Sequence, residues 1–262
     1  MQVTAGTDGA VCCRGEGIVN RAPHHERAVG DGPPSEPSAP SAFETLRFEP
    51  GVGPLRLEAH LARMARTCAY LGQPFSPDGA RDALGRALAG ETTARRVRLR
   101  ARADGSFAVD VTELVSAPAD FLPPDGPPVG EVALTFARVD ERDPLLRHKT
   151  TARSLYDAAT RVARAAGLLD VLFLNRRDEL ADGAISTVFV RTSEGLLTPP
   201  VASGALPGVL RGELLAAGIA SERVLTLEDL DGAEAVFLGS ALRGLRSVNV
   251  AREAVAVDSR DW

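Results

Sequence analysis

Thirty side chains in this sequence are lysine or arginine, and Lys149, in the stretch Arg147-His148-Lys149-Thr150-Thr151, is the single lysine. Arginine stays protonated and does not attack carbonyl groups. An amine sheds its proton once it is desolvated, and it can then form a Schiff base. A chain that writes arginine everywhere else and keeps one amine points to imine chemistry at that place. The blander reading is a survivor of biased composition on a solvated loop.

Other residues fall into place once the elements around Lys149 are read. Ser154-Leu155-Tyr156-Asp157 opens a helix that runs to Gly167, Asp170 to Asn175 is a buried strand, and residues 176–178 are a turn. The run Gly204-Ala205-Leu206-Pro207-Gly208-Val209-Leu210 sets proline and glycine before a helix expected over 211–217, whose free amides would suit an anion. Ala235 to Ser240 reads as a strand ending in small residues. Upstream, Ala42 to Phe48 alternates as a half-buried strand, and Leu57, Leu61, Met64, Ala65 and Cys68 share a helical face up to Gly72. Arg63 lies off that face and reads as a surface residue. Ser76-Pro77-Asp78 starts a second helix, a hairpin joins residues 96–101 and 107–111 through Ala103-Asp104-Gly105, and a proline-rich link leads to a strand at 131–136. The expected organisation is a disordered tail over 1–40, an N-terminal α/β subdomain over 41–140 and a C-terminal cofactor-binding subdomain over 141–262.

Composition narrows the functional classes. The net charge of −5, with acids and arginines interspersed, argues against a nucleic-acid partner, and no apolar run is long enough to cross a bilayer. Cys12, Cys13 and Cys68 form neither a metal spacing nor an even disulfide set, so no metal site is expected. His24 and His25, beside the first two cysteines in an unpatterned stretch, read as incidental. With no export pattern at the N-terminus, a cytoplasmic enzyme acting on a small molecule is the expectation.

Taken in series, five segments resemble the class IV aminotransferase family, the fold type IV pyridoxal-phosphate enzymes. They are Phe43-Glu44-Thr45-Leu46-Arg47, Glu58-Ala59-His60-Leu61-Ala62-Arg63-Met64, His148-Lys149-Thr150-Thr151, Leu206-Pro207-Gly208-Val209-Leu210-Arg211 and Phe237-Leu238-Gly239-Ser240-Ala241-Leu242-Arg243-Gly244. Within the family, the His-Lys-Thr-Thr and Leu-Arg-Gly sequences look most like aminodeoxychorismate lyases. The resemblance implies an α/β fold with mixed, α+β-type sheets, two subdomains and a cofactor cleft between them. It implies pyridoxal 5′-phosphate as cofactor, a homodimer, and an association with aminodeoxychorismate synthase. Lys149 would hold the cofactor and move protons. Arg63 and the amides of Val209 and Leu210 would bind its phosphate, Ser240 would contact the cofactor, Leu206 would pack on its ring, and Asp182 would face the ring nitrogen. Thr45 and Arg98 match positions near the substrate.

Three positions depart from the family pattern. Asp182 stands where glutamate is usual, one methylene shorter in reach, and a backbone shift or a bridging water would restore the contact. Ser186-Thr187 stands where Ser-Asn is expected, and Ser240-Ala241 where Asn-Ser is expected. One neutral hydroxyl lost from a phosphate site costs roughly 1.5–3 kcal/mol. Three functions stay open on the sequence. The first is a lyase that makes 4-aminobenzoate and pyruvate from 4-amino-4-deoxychorismate. The second is a branched-chain or D-amino acid aminotransferase, and the third a non-catalytic relic that binds cofactor or a partner.

Overall fold

The computed structural model describes residues 39–114 and 122–257. The expected tail, with Cys12, Cys13, His24 and His25, thus lies outside the described residues apart from its last two positions. The chain builds two sheets. In the first, β1 (Phe43–Glu49) pairs antiparallel with the short β2 (Gly53–Pro54) and with β3 (Arg95–Ala101), and β3 pairs with β4 (Phe107–Glu113). Helices α1 (Leu57–Tyr70) and α2 (Pro77–Ala87) lie between β2 and β3 in sequence and cover this sheet. Leu46, Met64, Leu84 and Leu99 close the core between them. Ser76 caps α2 by accepting from the Gly79 amide at 3.1 Å, with Pro77 at the first helical position. Gly72, at φ 66°, ends α1 in the left-handed conformation glycine allows.

The second sheet has eight strands in the order β10-β9-β8-β11-β12-β5-β6-β7. Its members are β5 (Glu131–Val139), β6 (Asp170–Asn175), β7 (Leu180–Gly183), β8 (Thr187–Thr192), β9 (Gly195–Thr198), β10 (Ala220–Glu222), β11 (Ala235–Ser240) and β12 (Gly244–Val250). Pairings β12–β5, β5–β6 and β10–β9 are parallel and the others antiparallel, so the sheet is mixed, as the α/β expectation required. Alternate residues of β6 serve different clusters. Val171 and Phe173 meet α3 (Ser154–Ala165), while Leu172 and Leu174 join Val188, Val190 and Leu238. A strand covered on both faces reads as one apolar run, as Asp170 to Asn175 does. Leu210 and Leu214 of α4 (Val209–Ala216) pack on Phe189 and Phe237, and α5 (Leu227–Asp231) adds Leu230 to the β8 cluster.

Three expectations need correction. The expected boundary at residue 140 places β5 with the first sheet, but β5 is hydrogen-bonded to β6 and β12, so the second sheet begins by Glu131. Local pattern identifies a strand without naming its partner. The helix expected from residue 211 begins at Val209, because Gly208 already serves as its cap. Arg63 is no surface residue: α1 has a second buried stripe, His60, Arg63 and Thr67, beside its apolar one.

Candidate active site

Main-chain hydrogen bonds from the far end of the first sheet fix the lysine segment. The Phe43 amide donates to the Lys149 carbonyl at 3.0 Å, and the Thr151 amide donates to the Ser41 carbonyl at 2.9 Å. The Ser41 amide in turn donates to the Thr151 hydroxyl at 3.0 Å. Lys149 is therefore pinned where the two halves of the fold meet, on a cleft of about 930 Å³ lined from both sheets. Its Nζ lies 4.8 Å from the centre of the Phe43 ring. Burial disfavours the ammonium, nearby Arg63 adds to this, and Glu44 opposes it, bringing the Lys149 pKa down to about 7. An amine near neutrality is both a nucleophile and a proton carrier.

Arg63 is held before any ligand arrives. Glu44, with no exposed surface, accepts from Arg63 Nε at 2.7 Å and Nη2 at 2.6 Å, and its Oε2 lies 2.7 Å from His60 Nδ1. The remaining guanidinium nitrogen, Nη1, reaches the Pro207 carbonyl at 3.3 Å, at the entrance to α4. No side chain caps α4, so the Val209 and Leu210 amides are free where the helix dipole is positive. One arginine and one helix start thus form an anion cradle. Burial pushes Glu44 up, but the Arg63 charge and the hydrogen bonds from Arg63 and His60 outweigh it and hold Glu44 at about 2. Its stabilising charge is full above the unfolded value near 4.5 and is lost as pH falls towards 2. Glu44→Gln is expected to cost about 3–5 kcal/mol at pH 7 by leaving Arg63 without its counter-charge. Urea unfolding of both proteins should show that gap closing between pH 4.5 and 2.5; a gap independent of pH would remove the ion pair as its cause.

Asp182, on β7, is the second buried charge. Its Oδ2 accepts from the Leu206 amide at 3.1 Å, while its Oδ1 is buried without a donor among the described residues. Burial raises its pKa to about 7 against the pull of the Leu206 and Gly183 amides, and Asp170 pushes the same way as burial. Asp170 braces the turn that follows Asp182. It accepts from the amides of Val171 (2.9 Å), Ala184 (3.0 Å) and Ile185 (3.2 Å). Gly183 has no room for a side chain, since a Cβ there would stand 2.6 Å from the Ser186 carbonyl oxygen and 2.7 Å from Asp170 Oδ2.

The cleft collects all nine residues singled out in the sequence: Thr45, Arg63, Arg98, Lys149, Asp182, Leu206, Val209, Leu210 and Ser240. Thr45 and Arg98 are direct cross-strand partners. Ser240, ending β11, accepts from the Arg243 amide at 3.2 Å and keeps its own hydroxyl proton to donate. Sequence reasoning assigned no role to Glu44 or His60, although both lie in quoted segments, nor to Asp170, Tyr156 or Arg243. The Tyr156 phenol packs edge-on to Phe173 at 5.1 Å, and burial, then Asp182, push its pKa up, so it stays a donor. An acidic residue at the mouth of an apolar strand was the available signal for Asp170. Among the described residues no cluster could hold a metal ion.

Three features define what fits here: an anion cradle, an amine titrating near 7, and a carboxylate oxygen waiting for a donor. A ring compound with a phosphate, an aldehyde and a protonated ring nitrogen meets all three, and Asp182 Oδ1 is the atom that the nitrogen would satisfy. The comparisons agree. The family model described as amino-transferase class IV matches residues 41–250. A candidate amino-acid aminotransferase from Mesorhizobium loti is 36% identical, with a TM-score of 0.72, over 81% of this chain and 100% of that one. A candidate 4-amino-4-deoxychorismate lyase from Legionella pneumophila is 23% identical, with a TM-score of 0.66, over 83% and 85%. A hypothetical aminotransferase from Mycobacterium tuberculosis in its PLP-bound form is 22% identical, with a TM-score of 0.65, over 88% and 91%. At those identities the last two likenesses concern the fold alone. The comparison with curated proteins gives no match.

Proposed function

The chain belongs to the class IV aminotransferase family, whose cofactor is pyridoxal phosphate, and from that premise we propose that it is a lyase converting 4-amino-4-deoxychorismate to 4-aminobenzoate and pyruvate. The observation that carries the reading is Lys149, half-buried with its pKa lowered to about 7 on a cleft also lined by arginines from both sheets. When bound, pyridoxal phosphate supplies an electron sink for the carbon that bears the substrate's amine. The protein's part is position and proton transfer. Arg63, oriented by Glu44, and the first amides of α4 would hold the phosphate, with the Ser240 hydroxyl as a further donor. Asp182, whose Oδ1 lacks a donor among the described residues, would face the ring nitrogen, and Leu206 would pack on the ring.

Lys149 Nζ takes the proton from the ring carbon that carries the amine. The bond from the neighbouring carbon to the enolpyruvyl oxygen breaks, the six-membered ring becomes aromatic, and the expelled group gains a proton to become pyruvate. Neutral amine is needed to begin, so activity should rise through pH 7. Thr45 and Arg98 orient the substrate. A homodimer, an association with aminodeoxychorismate synthase and a cytoplasmic setting complete the proposal; no described helix is long and apolar enough to cross a membrane.

A second reading, a branched-chain or D-amino acid aminotransferase, is favoured by the 36% identity to the Mesorhizobium loti protein. One titration separates the two. Purified protein loaded with pyridoxal phosphate is mixed with an amino acid alone, then with 4-amino-4-deoxychorismate. The lyase reading expects an unchanged visible spectrum in the first case, and 4-aminobenzoate with equal pyruvate in the second. A spectral change with the amino acid and no aminobenzoate would make it the aminotransferase.

A further inference from the structure

The three buried arginines among the described residues, Arg47, Arg63 and Arg211, have acids beside them. Arg47 pairs with Glu49, Arg63 with Glu44 and Arg211 with Glu222. Arg98 and Arg243, half-buried on the cleft, have no ion pair among the described residues, a condition they share with Arg96 beside them and Arg246 outside the cleft. Arg98, in the middle of β3, has its Cζ 4.2 Å over the Phe43 ring and its Nε buried without an acceptor. Arg243, in the turn between β11 and β12, is half-buried, and its guanidinium has no ion pair or hydrogen bond among the described residues. The charges that weigh most on it are those of Arg246 and Arg96, then Asp170, then Arg164. Around Arg98 the largest influences are Arg100, Arg153 and Arg96, then Asp157, while Asp110 stands opposite it on β4 without an ion pair to it. Burial first, and then these neighbouring arginines, disfavour the charged form of both.

Guanidinium does not escape this cost by losing its proton at physiological pH. A partly desolvated cation without an ion-pair partner costs free energy, and here Arg98 and Arg243 both stand so on one cleft. Arg98 comes from the four-stranded sheet and Arg243 from the eight-stranded one, so the two charges stand on walls built by different halves of the fold. Neither belongs to the phosphate cradle, which Arg63 and α4 already complete. The arrangement calls for a ligand with two anionic groups.

We propose that Arg98 and Arg243 form a two-point clamp, so that the substrate of this cleft carries two carboxylates, one for each guanidinium. The clamp deepens the lyase reading and rests on it for the substrate's identity. It makes Arg243 a specificity residue. A branched-chain amino acid offers one carboxylate and an apolar side chain, and would leave one guanidinium desolvated against hydrocarbon.

Calorimetric titration of apoprotein and of cofactor-loaded protein tests the clamp. Chorismate, a dicarboxylate without the reacting amine, is compared with 4-hydroxybenzoate, which has one carboxylate. The wild type should bind chorismate about tenfold or more tightly than 4-hydroxybenzoate. Arg98→Gln and Arg243→Gln should each weaken chorismate binding about tenfold, while at most one of them affects 4-hydroxybenzoate. Arg243→Lys, which keeps the charge, should recover part of the loss and separate it from a folding defect. All three variants should retain pyridoxal phosphate as the wild type does. Chorismate affinity within about twofold of wild type in Arg243→Gln would overturn the clamp, as would equal wild-type affinities for the two ligands. Failure to take up pyridoxal phosphate would instead sink the lyase reading, and the apoprotein titrations would still decide the clamp.

Discussion

Lys149→Ala is expected to lower kcat/KM for 4-aminobenzoate formation by about 10⁴-fold or more, because it removes the covalent anchor and the proton carrier together. No other lysine exists in the chain to take over. Arginine at this position would keep the positive charge but supply no neutral amine, so Lys149→Arg should be as inactive as the alanine variant. After borohydride reduction in the presence of pyridoxal phosphate, label should appear on the Lys149 peptide of the wild type and on no peptide of either variant. The pH profile supplies the second readout. With Lys149 at about 7, the acidic limb of wild-type kcat/KM should fall near pH 7, well below the 10.5 of an ordinary lysine. A small amine such as methylamine, added to Lys149→Ala, should restore part of the rate with a limb moved towards the added amine's own pKa. Residual activity above about one per cent without added amine would mean that another group moves the proton.

Much of this site was legible because its chemistry concentrates in residue types the sequence otherwise avoids or punctuates. A lone lysine among arginines, and proline with glycine ahead of a helix, can be read without knowing the fold. Charges that serve one another across the fold were less legible. Glu44 lies on a strand read by its apolar alternation, and its partners, His60 and Arg63, lie on a helix read by its apolar face. Periodicity counts hydrophobic residues, so a stripe of paired polar residues registers as surface. Arg63 shows the consequence: resemblance gives it a phosphate-binding role while the pattern of its own helix places it in solvent, and it is buried. Strand order was hidden for a related reason. β5 pairs in parallel with β6 across α3, and nothing local to residues 131–139 distinguishes that neighbour from β4. Arg243 appears in a quoted segment, yet its want of a partner is a property of its surroundings, which only the packed structure supplies.

Asp182 sets function against stability, and Asp182→Asn should separate the two in opposite directions. The carboxyl moves from 3.8 in the unfolded chain to about 7 in the fold, so folding favours its protonated form. The sign follows: below pH 4 the group costs nothing, the penalty grows between 4 and 7, and above 7 it is full. At about 1.4 kcal/mol per pH unit, ionised Asp182 destabilises the apoprotein by roughly 4 kcal/mol at most. Asparagine has nearly the same shape and cannot ionise. Apoprotein Asp182→Asn should therefore unfold at higher urea than wild type at pH 8, with the advantage gone near pH 4. Catalysis should move the other way, because the ring nitrogen would lose the charge that keeps it protonated, and a fall in kcat of about 10²- to 10³-fold is expected. Pyridoxal phosphate should also stabilise the wild type more than the variant at pH 8, since only the wild type has an unpaired carboxylate to satisfy. A variant more stable by the same margin at both pH values would trace the gain to packing and not to charge. Unchanged kcat would remove Asp182 from the ring nitrogen and leave it as a brace for the Leu206 amide.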